Sequence, residues 1–248
     1  MSSTHPRPVA LITGGGRRVG AVIARALHAA GYDLVLHYRH SADAAEALAA
    51  ELEQQREGSV QLVHAELAVL DLLPELVTAA TARFGRLDAL VNNASAFYPT
   101  PVGSATPAQW NELFASNAQA PFFLAQAATP ALRQSGGAIV NLVDIYAERP
   151  LADHPVYCMA KAALLAMTRS LALDLGPQVR VNAVAPGAVM WPSEGKAYDD
   201  KLAMLERTPL KRAGTPEDVA SAVLWLLRDA PFVTGQVIRI DGGRTLSV

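Results

Sequence analysis

Apolar residues alternate along this chain between two rhythms: short unbroken runs, and longer stretches in which they recur every three or four positions. Val9-Ala10-Leu11-Ile12 has the first rhythm and reads as a buried strand. Val22, Ile23, Ala26, Leu27 and Ala30 follow at helical spacing, up to a helix-stopping Gly31. The pair then repeats: Leu34-Val35-Leu36 as strand and 44–52 as helix, 60–67 as strand and 72–84 as helix, then Ala89-Leu90-Val91 as strand. Beyond Pro101 a long helix is predicted, with Thr106 as N-cap and Pro107 in its first position. After it come a strand at 138–143, an apolar helix at 157–175 stopped by Gly176-Pro177, and a strand at 179–184. Thr215-Pro216-Glu217-Asp218 opens a further helix, and Val237-Ile238-Arg239-Ile240 is the last strand.

Strict strand–helix alternation predicts parallel strands with helices on both faces. The fold class is therefore α/β, one doubly wound Rossmann-type sheet in a single domain over 1–248. Residues 190–208, with Trp191, Pro192, Gly195 and mixed charges, break the rhythm after a late strand, beside the expected ligand crevice. They read as a substrate lid, and Trp191 as a candidate substrate contact.

Composition narrows the function classes. A 51% apolar content supports a large core, and a net charge of −2 gives no pull toward nucleic acid or anionic lipid. A single cysteine, Cys158, rules out an internal disulfide and fits a reducing compartment. The N-terminal residues lack a signal-like apolar core, and no run approaches roughly 18 uninterrupted apolar residues. The expectation is a soluble, cytoplasmic protein without a membrane or nucleic-acid partner. No metal site is read from the sequence.

The chemistry concentrates at the ends of the predicted strands. Thr13-Gly14-Gly15-Gly16-Arg17-Arg18-Val19-Gly20 lies between the first strand and the first helix, where glycines admit a pyrophosphate and the helix N-terminus attracts its charge. The second strand ends in His37-Tyr38-Arg39-His40-Ser41. No acid stands there to bond the adenosine ribose and repel a 2′-phosphate, so the cofactor read from this segment is NADP(H), with Arg39 and Ser41 on the phosphate. Tyr157 and Lys161, four apart, share a helix face. An ammonium near a phenol stabilises phenolate and lowers the tyrosine pKa from about 10, which suits proton exchange near neutral pH.

Together these motifs resemble the short-chain dehydrogenase/reductase family from Val9 to Gly243. Its TGxxxGxG turn has Arg18 at the middle glycine here. Asn92-Asn93-Ala94 matches its strand-four triplet and Asp241-Gly242-Gly243 its last turn, while Glu66-Leu67 stands where the family places an Asp near adenine. The resemblance implies that Asn93, Ala94, Pro186, Gly187 and Val189 line the cofactor. It also implies that Asn117 bends its helix and holds a water in the proton relay, and that Lys161 reaches the nicotinamide ribose. The family's substrate-binding serine, thirteen residues before the tyrosine, is Asp144 here. A carboxylate repels a carbonyl oxygen but accepts from N–H groups, and when protonated it donates, which argues for a nitrogen heterocycle.

A narrower resemblance, to the pteridine reductase branch, rests on four segments: Arg18, the stretch His37 to Ala42, the Asn93-Ala94-Ser95-Ala96-Phe97-Tyr98-Pro99-Thr100-Pro101 loop, and the Asp144, Tyr157, Lys161 set. It implies that Phe97 stacks a pterin against the nicotinamide, that Ser95 and Arg18 bond the pterin or the cofactor phosphate, and that Asp144 acts with Tyr157 in protonating a ring nitrogen. Two departures are the order Arg39-His40, reversed in that branch, and Ala188-Val189, where it carries Leu-Ser. The leading expectation is reduction of a dihydropterin (dihydrobiopterin, dihydromonapterin or dihydrofolate) by a homotetramer, tetramers being usual in the family. The alternatives are a 3-oxoacyl-thioester or other carbonyl reductase, and a non-catalytic NADP-binding sensor.

Overall fold

Short strands separated by helices pair in parallel only through crossovers that lay those helices over the sheet. The computed structural model, which describes residues 7–189 and 201–246, has this arrangement. Strands β1 (Val9–Ile12), β2 (Asp33–Tyr38), β3 (Val60–His64), β4 (Ala89–Asn92), β5 (Ala138–Leu142), β6 (Arg180–Pro186) and β7 (Val237–Ile240) form one sheet in the order β3-β2-β1-β4-β5-β6-β7. Every neighbouring pair is parallel. The helices are α1 (Arg18–Ala29), α2 (Ala42–Gln55), α3 (Leu73–Phe84), α4 (Pro107–Phe114), α5 (Ala120–Ser135), α6 (Pro155–Leu175), α7 (Lys201–Arg207) and α8 (Pro216–Arg228).

Successive strand residues point to opposite faces, so unbroken apolar strands feed two cores at once. Ala10, Ile12, Leu34, Leu36, Val91 and Val140 pack under α1 and α8. Val9, Leu11, Val35, Leu90, Ile139 and Val181 pack under α3, α5 and α6. Helix α6 is long and apolar enough to cross a membrane, with mean hydropathy 1.3, but its buried face, from Val156 to Leu175, closes on the sheet. Arg180 holds α8 in place by donating to the carbonyls of Leu226, Leu227 and Ala230 at that helix's C-terminal end.

The order reverses between β1 and β4, and the crevice at their C-terminal ends is where such sheets take ligands. Two expectations change here. The third strand stops at His64, short of Leu67, because its one partner, β2, ends at Tyr38 opposite His64. Glu66 and Leu67 therefore lie in the loop beyond it. The long helix after Pro101 is two helices joined by a π-helical turn, Ala115–Gln119. Of the stretch read as a lid, 190–200, including Trp191, lie outside the described residues. Its far end is α7, followed by buried Thr208 packed against Gly242.

Candidate active site

The loop after β1 has a backbone that only a few residue types accept. Gly14 has φ +61°, and a Cβ on Gly20 would lie 2.2 Å from the Gly14 carbonyl oxygen. Arg18 has φ +53°, which accounts for the family's glycine at that position; here a guanidinium is presented at the cost of a left-handed backbone. Asn93, just past β4, donates through Nδ2 to the carbonyls of Thr13 and Gly14, at 2.9 and 3.0 Å. Thr13 Oγ1 in turn accepts from the backbone N–H groups of Asn93 and Ala94. The two loops flanking the crevice are thus one unit.

Helix α1 begins on Arg17 with no side-chain cap and no acid in its first turn, and α2 begins on Ser41 with its hydroxyl making no cap bond. By contrast, α4 and α8 carry complete capping boxes from Thr106 and Thr215. Uncapped N–H groups at the starts of α1 and α2, with Gly14 and Gly20 letting the glycine loop pack close against α1 and Asn93, fit the phosphates of a nicotinamide dinucleotide. Pro186 and Gly187 close the far side, where a Cβ on Gly187 would meet Asp241 at 2.9 Å. Val189 turns its side chain into the core.

His37 is a correction. Its side chain is 2% exposed and points inward, away from any 2′-phosphate. The Gly14 N–H donates to its Nδ1 at 3.1 Å, and its Nε2 donates to the Ala65 carbonyl at 3.0 Å. Burial lowers its pKa, and the two bonds fix a neutral imidazole that shapes the glycine loop. At the same strand end Tyr38 lies beside His64, His40 is exposed, and Arg39 pairs with Glu66 at 3.3 Å. The end expected to take adenosine therefore carries an ion pair between two of the positions read as cofactor contacts, Arg39 and Glu66.

The reacting groups meet at the ends of β5 and α6. Tyr157 Oη donates to Asp144 Oδ2 at 2.7 Å, and Asp144 Oδ1 accepts from the Tyr146 N–H at 3.0 Å. The carboxylate thus caps a short turn, Ile145–Ala147, and binds the phenol at once. Lys161 Nζ donates to the Leu142 carbonyl at 2.8 Å and lies 5.8 Å from the centre of the Tyr157 ring. Asp144 keeps an exposed edge, but the groups packed round its carboxyl desolvate it and raise its pKa, opposed by its bonds to Tyr146 and Tyr157 and by the charges of Lys161 and Arg244. Burial lowers Lys161 to about 8, with the charge of Asp144 opposing. Among the described residues no cluster of three His, Cys, Asp or Glu side chains stands ready for a metal.

Asn117 sits inside the π-helical turn, fully buried. Its Nδ2 donates to the carbonyls of Leu113 and Ala96, each at 2.9 Å, and its Oδ1 accepts from Ser95 Oγ at 2.7 Å. Where a bend was expected, the structure has this π-helical turn. Sequence reasoning missed that the side chain also clamps the loop carrying Ser95 and Phe97. Phe97 lies with its ring centre 4.8 Å from that of Tyr157, edge-on at 82°. A nicotinamide cofactor held at this crevice would supply a hydride, and Tyr157 Oη, bonded to Asp144 with Lys161 Nζ near its ring, has the geometry to exchange a proton beside it.

A family model described as enoyl-(acyl carrier protein) reductase matches residues 16–245. Pteridine reductase 1 of Leishmania tarentolae is 36% identical, with all of this chain and 99% of that protein covered. A putative ketoacyl reductase of the granaticin polyketide synthase of Streptomyces violaceoruber is 38% identical over 96% of each chain. The 3-oxoacyl-(acyl-carrier-protein) reductase of Staphylococcus epidermidis is 34% identical over 94% of this chain and 97% of its own. With its parallel seven-stranded sheet, its Tyr157 and Lys161 on one helix and likenesses reaching to both pteridine and ketoacyl reductases, the chain belongs to the short-chain dehydrogenase/reductase family of oxidoreductases.

Proposed function

We propose that this enzyme reduces a dihydropterin or dihydrofolate to the tetrahydro form with NADPH, hydride passing to a ring C=N carbon and a proton to the neighbouring nitrogen. The observation that carries this reading is the 2.7 Å bond between Tyr157 and a carboxylate, Asp144, where a carbonyl reductase of this family has a hydroxyl. A carboxylate repels a carbonyl oxygen and accepts from pterin N–H groups, while Phe97 beside Tyr157 suits a flat conjugated ring. Whole-length similarity to a pteridine reductase supports it further.

NADPH is favoured over NADH by Arg39, by the unengaged Ser41 hydroxyl at the start of α2 and by that helix's N-terminal N–H groups, a set suited to a 2′-phosphate. Similar identity to ketoacyl reductases supports a second reading, a 3-oxoacyl-thioester reductase. A non-catalytic sensor is the poorest reading, since it leaves the bonded Asp144, Tyr157 and buried Lys161 without a task. The lone, buried Cys158 suits a cytoplasmic setting.

We further propose a homotetramer. A groove of about 660 Å³ between α4, α5 and α6 is lined by Trp110, Phe114, Phe122, Phe123, Ala163 and Met167. Trp110 and Phe122 are 42% and 41% exposed, and a second copy of the chain is the occupant that fits.

The test follows cofactor oxidation with dihydrobiopterin, dihydromonapterin, dihydrofolate and an acetoacetyl thioester, each with NADPH and with NADH. Turnover of a pterin with NADPH is expected. Thioester turnover with silent pterins overturns the proposal, and tight NADPH binding without any turnover favours the sensor.

A further inference from the structure

The loop that carries Phe97 is stitched down at both ends. Asn117 holds Ser95 and Ala96 at one end. At the other, Thr100, fully buried, donates its N–H to the Asp153 carbonyl at 2.6 Å, and its Oγ1 accepts from the Val156 N–H. The second stitch runs to the bend that opens α6, in which Asp153 adopts φ +61° and His154 is the N-cap residue.

His154 is 5% exposed and makes no side-chain cap bond to its own helix. Its Nδ1 instead donates to the Ala152 carbonyl at 2.7 Å, which fixes the plane of the ring. That ring lies parallel to Phe97, with centroids 4.7 Å apart and planes 12° from each other. Tyr157, one helical turn on, meets the same phenyl ring edge-on. Phe97 is thus held from two directions by residues three apart on one helix: one face rests on the imidazole, and the proton-donating tyrosine abuts it.

We propose that His154 is a positioning residue for the substrate: it backs Phe97 so that the opposite face of the phenyl ring receives a flat conjugated ring at a fixed angle to Tyr157 Oη. This rests on the reading of a planar ring substrate given above. Without the backing ring, Phe97 is free to rotate about its side-chain torsions, and the stacked ring loses its registration with the proton donor. The stack gives His154 a task that its hydrogen bond alone does not account for, since an asparagine also reaches the Ala152 carbonyl.

Two variants separate the ring from the bond. His154→Phe keeps the stacking ring and loses the donor; His154→Asn keeps a donor and loses the ring. Each is assayed for dihydropterin kcat/KM and for NADPH Kd, the latter reporting an intact fold and cofactor crevice. His154→Asn is expected to lose roughly tenfold in kcat/KM, and His154→Phe to stay within about threefold of the parent. In a Phe97→Leu background, His154→Asn should have little further effect, because the backed ring is already gone. The proposal is overturned if His154→Asn matches the parent, if both variants fall equally, or if the Asn effect is additive with Phe97→Leu. A parent enzyme that turns over no pterin defeats the functional reading first and this inference with it. An active parent with the wrong variant pattern defeats the inference alone.

Discussion

Lys161 is 2% exposed, and a charge held so far from water survives there through its bond to the Leu142 carbonyl and its attraction to Asp144. With a folded-state pKa near 8 against about 10.5 in an unfolded chain, the ammonium is the disfavoured form inside the protein. The unfolded chain then binds more protons between those two values, so this residue's contribution to stability rises with pH across that window. Activity runs the other way. As pH rises through about 8 the ammonium that steadies the phenolate is lost, so kcat/KM for reduction should fall about tenfold per unit. A pH profile level to about 10 would show that Lys161 does not hold this role. Tyr157 and Lys161 were legible in the sequence as a pair four apart on a predicted helix, and Asp144 through the family resemblance, which places its substrate-binding group thirteen residues before the tyrosine. The tasks of His37 and His154 were not. An imidazole at a strand or helix end looks alike whether it faces water or a backbone donor, and only the loop folded over it decides.

At the scale of elements, the alternation of apolar runs was enough to place every strand of the sheet. The missing detail lay where local geometry departs from regular structure. The stretch Pro107–Phe114 through Ala120–Ser135 reads as a continuous helix because its apolar spacing hardly changes across the π-helical turn. The turn exists because Asn117 bonds to Leu113 within the helix and to Ala96 outside it. Asn117→Ala would leave those two carbonyls and Ser95 without this partner, so it should lower stability by about 2–3 kcal/mol and raise the substrate KM more than the NADPH KM. Denaturant melts and steady-state kinetics check both; an unchanged substrate KM with lowered stability would mean the clamp serves the fold alone. Helix starts were equally uneven in legibility. The capping boxes at Thr106 and Thr215 announce themselves by residue type. The left-handed Arg18 does not, since nothing in an arginine signals a positive φ.

For the molecule as a whole, a parallel, doubly wound sheet followed from the alternation, while the strand order that puts the crevice between β1 and β4 came from the structure. Assembly was not legible either, because an apolar helix face reads the same whether it meets the sheet or another copy. The exposed Trp110 and Phe122 make the distinction testable: Phe122→Glu should convert the proposed tetramer to smaller species in sedimentation while the isolated subunit keeps its fold. A parent protein that sediments as a monomer would leave the groove without this role. Replacing a serine hydroxyl by the Asp144 carboxylate, bonded to Tyr157 with Phe97 edge-on to the tyrosine ring, is proposed to turn a carbonyl-reducing scaffold toward a pterin ring. That proposal is tested most directly by the ratio of kcat/KM for a dihydropterin to kcat/KM for an acetoacetyl thioester, measured on one preparation with NADPH. A ratio of at least about a hundred is expected, the selectivity that follows when one substrate satisfies a desolvated carboxylate and the other is repelled by it. A ratio below one would contradict it.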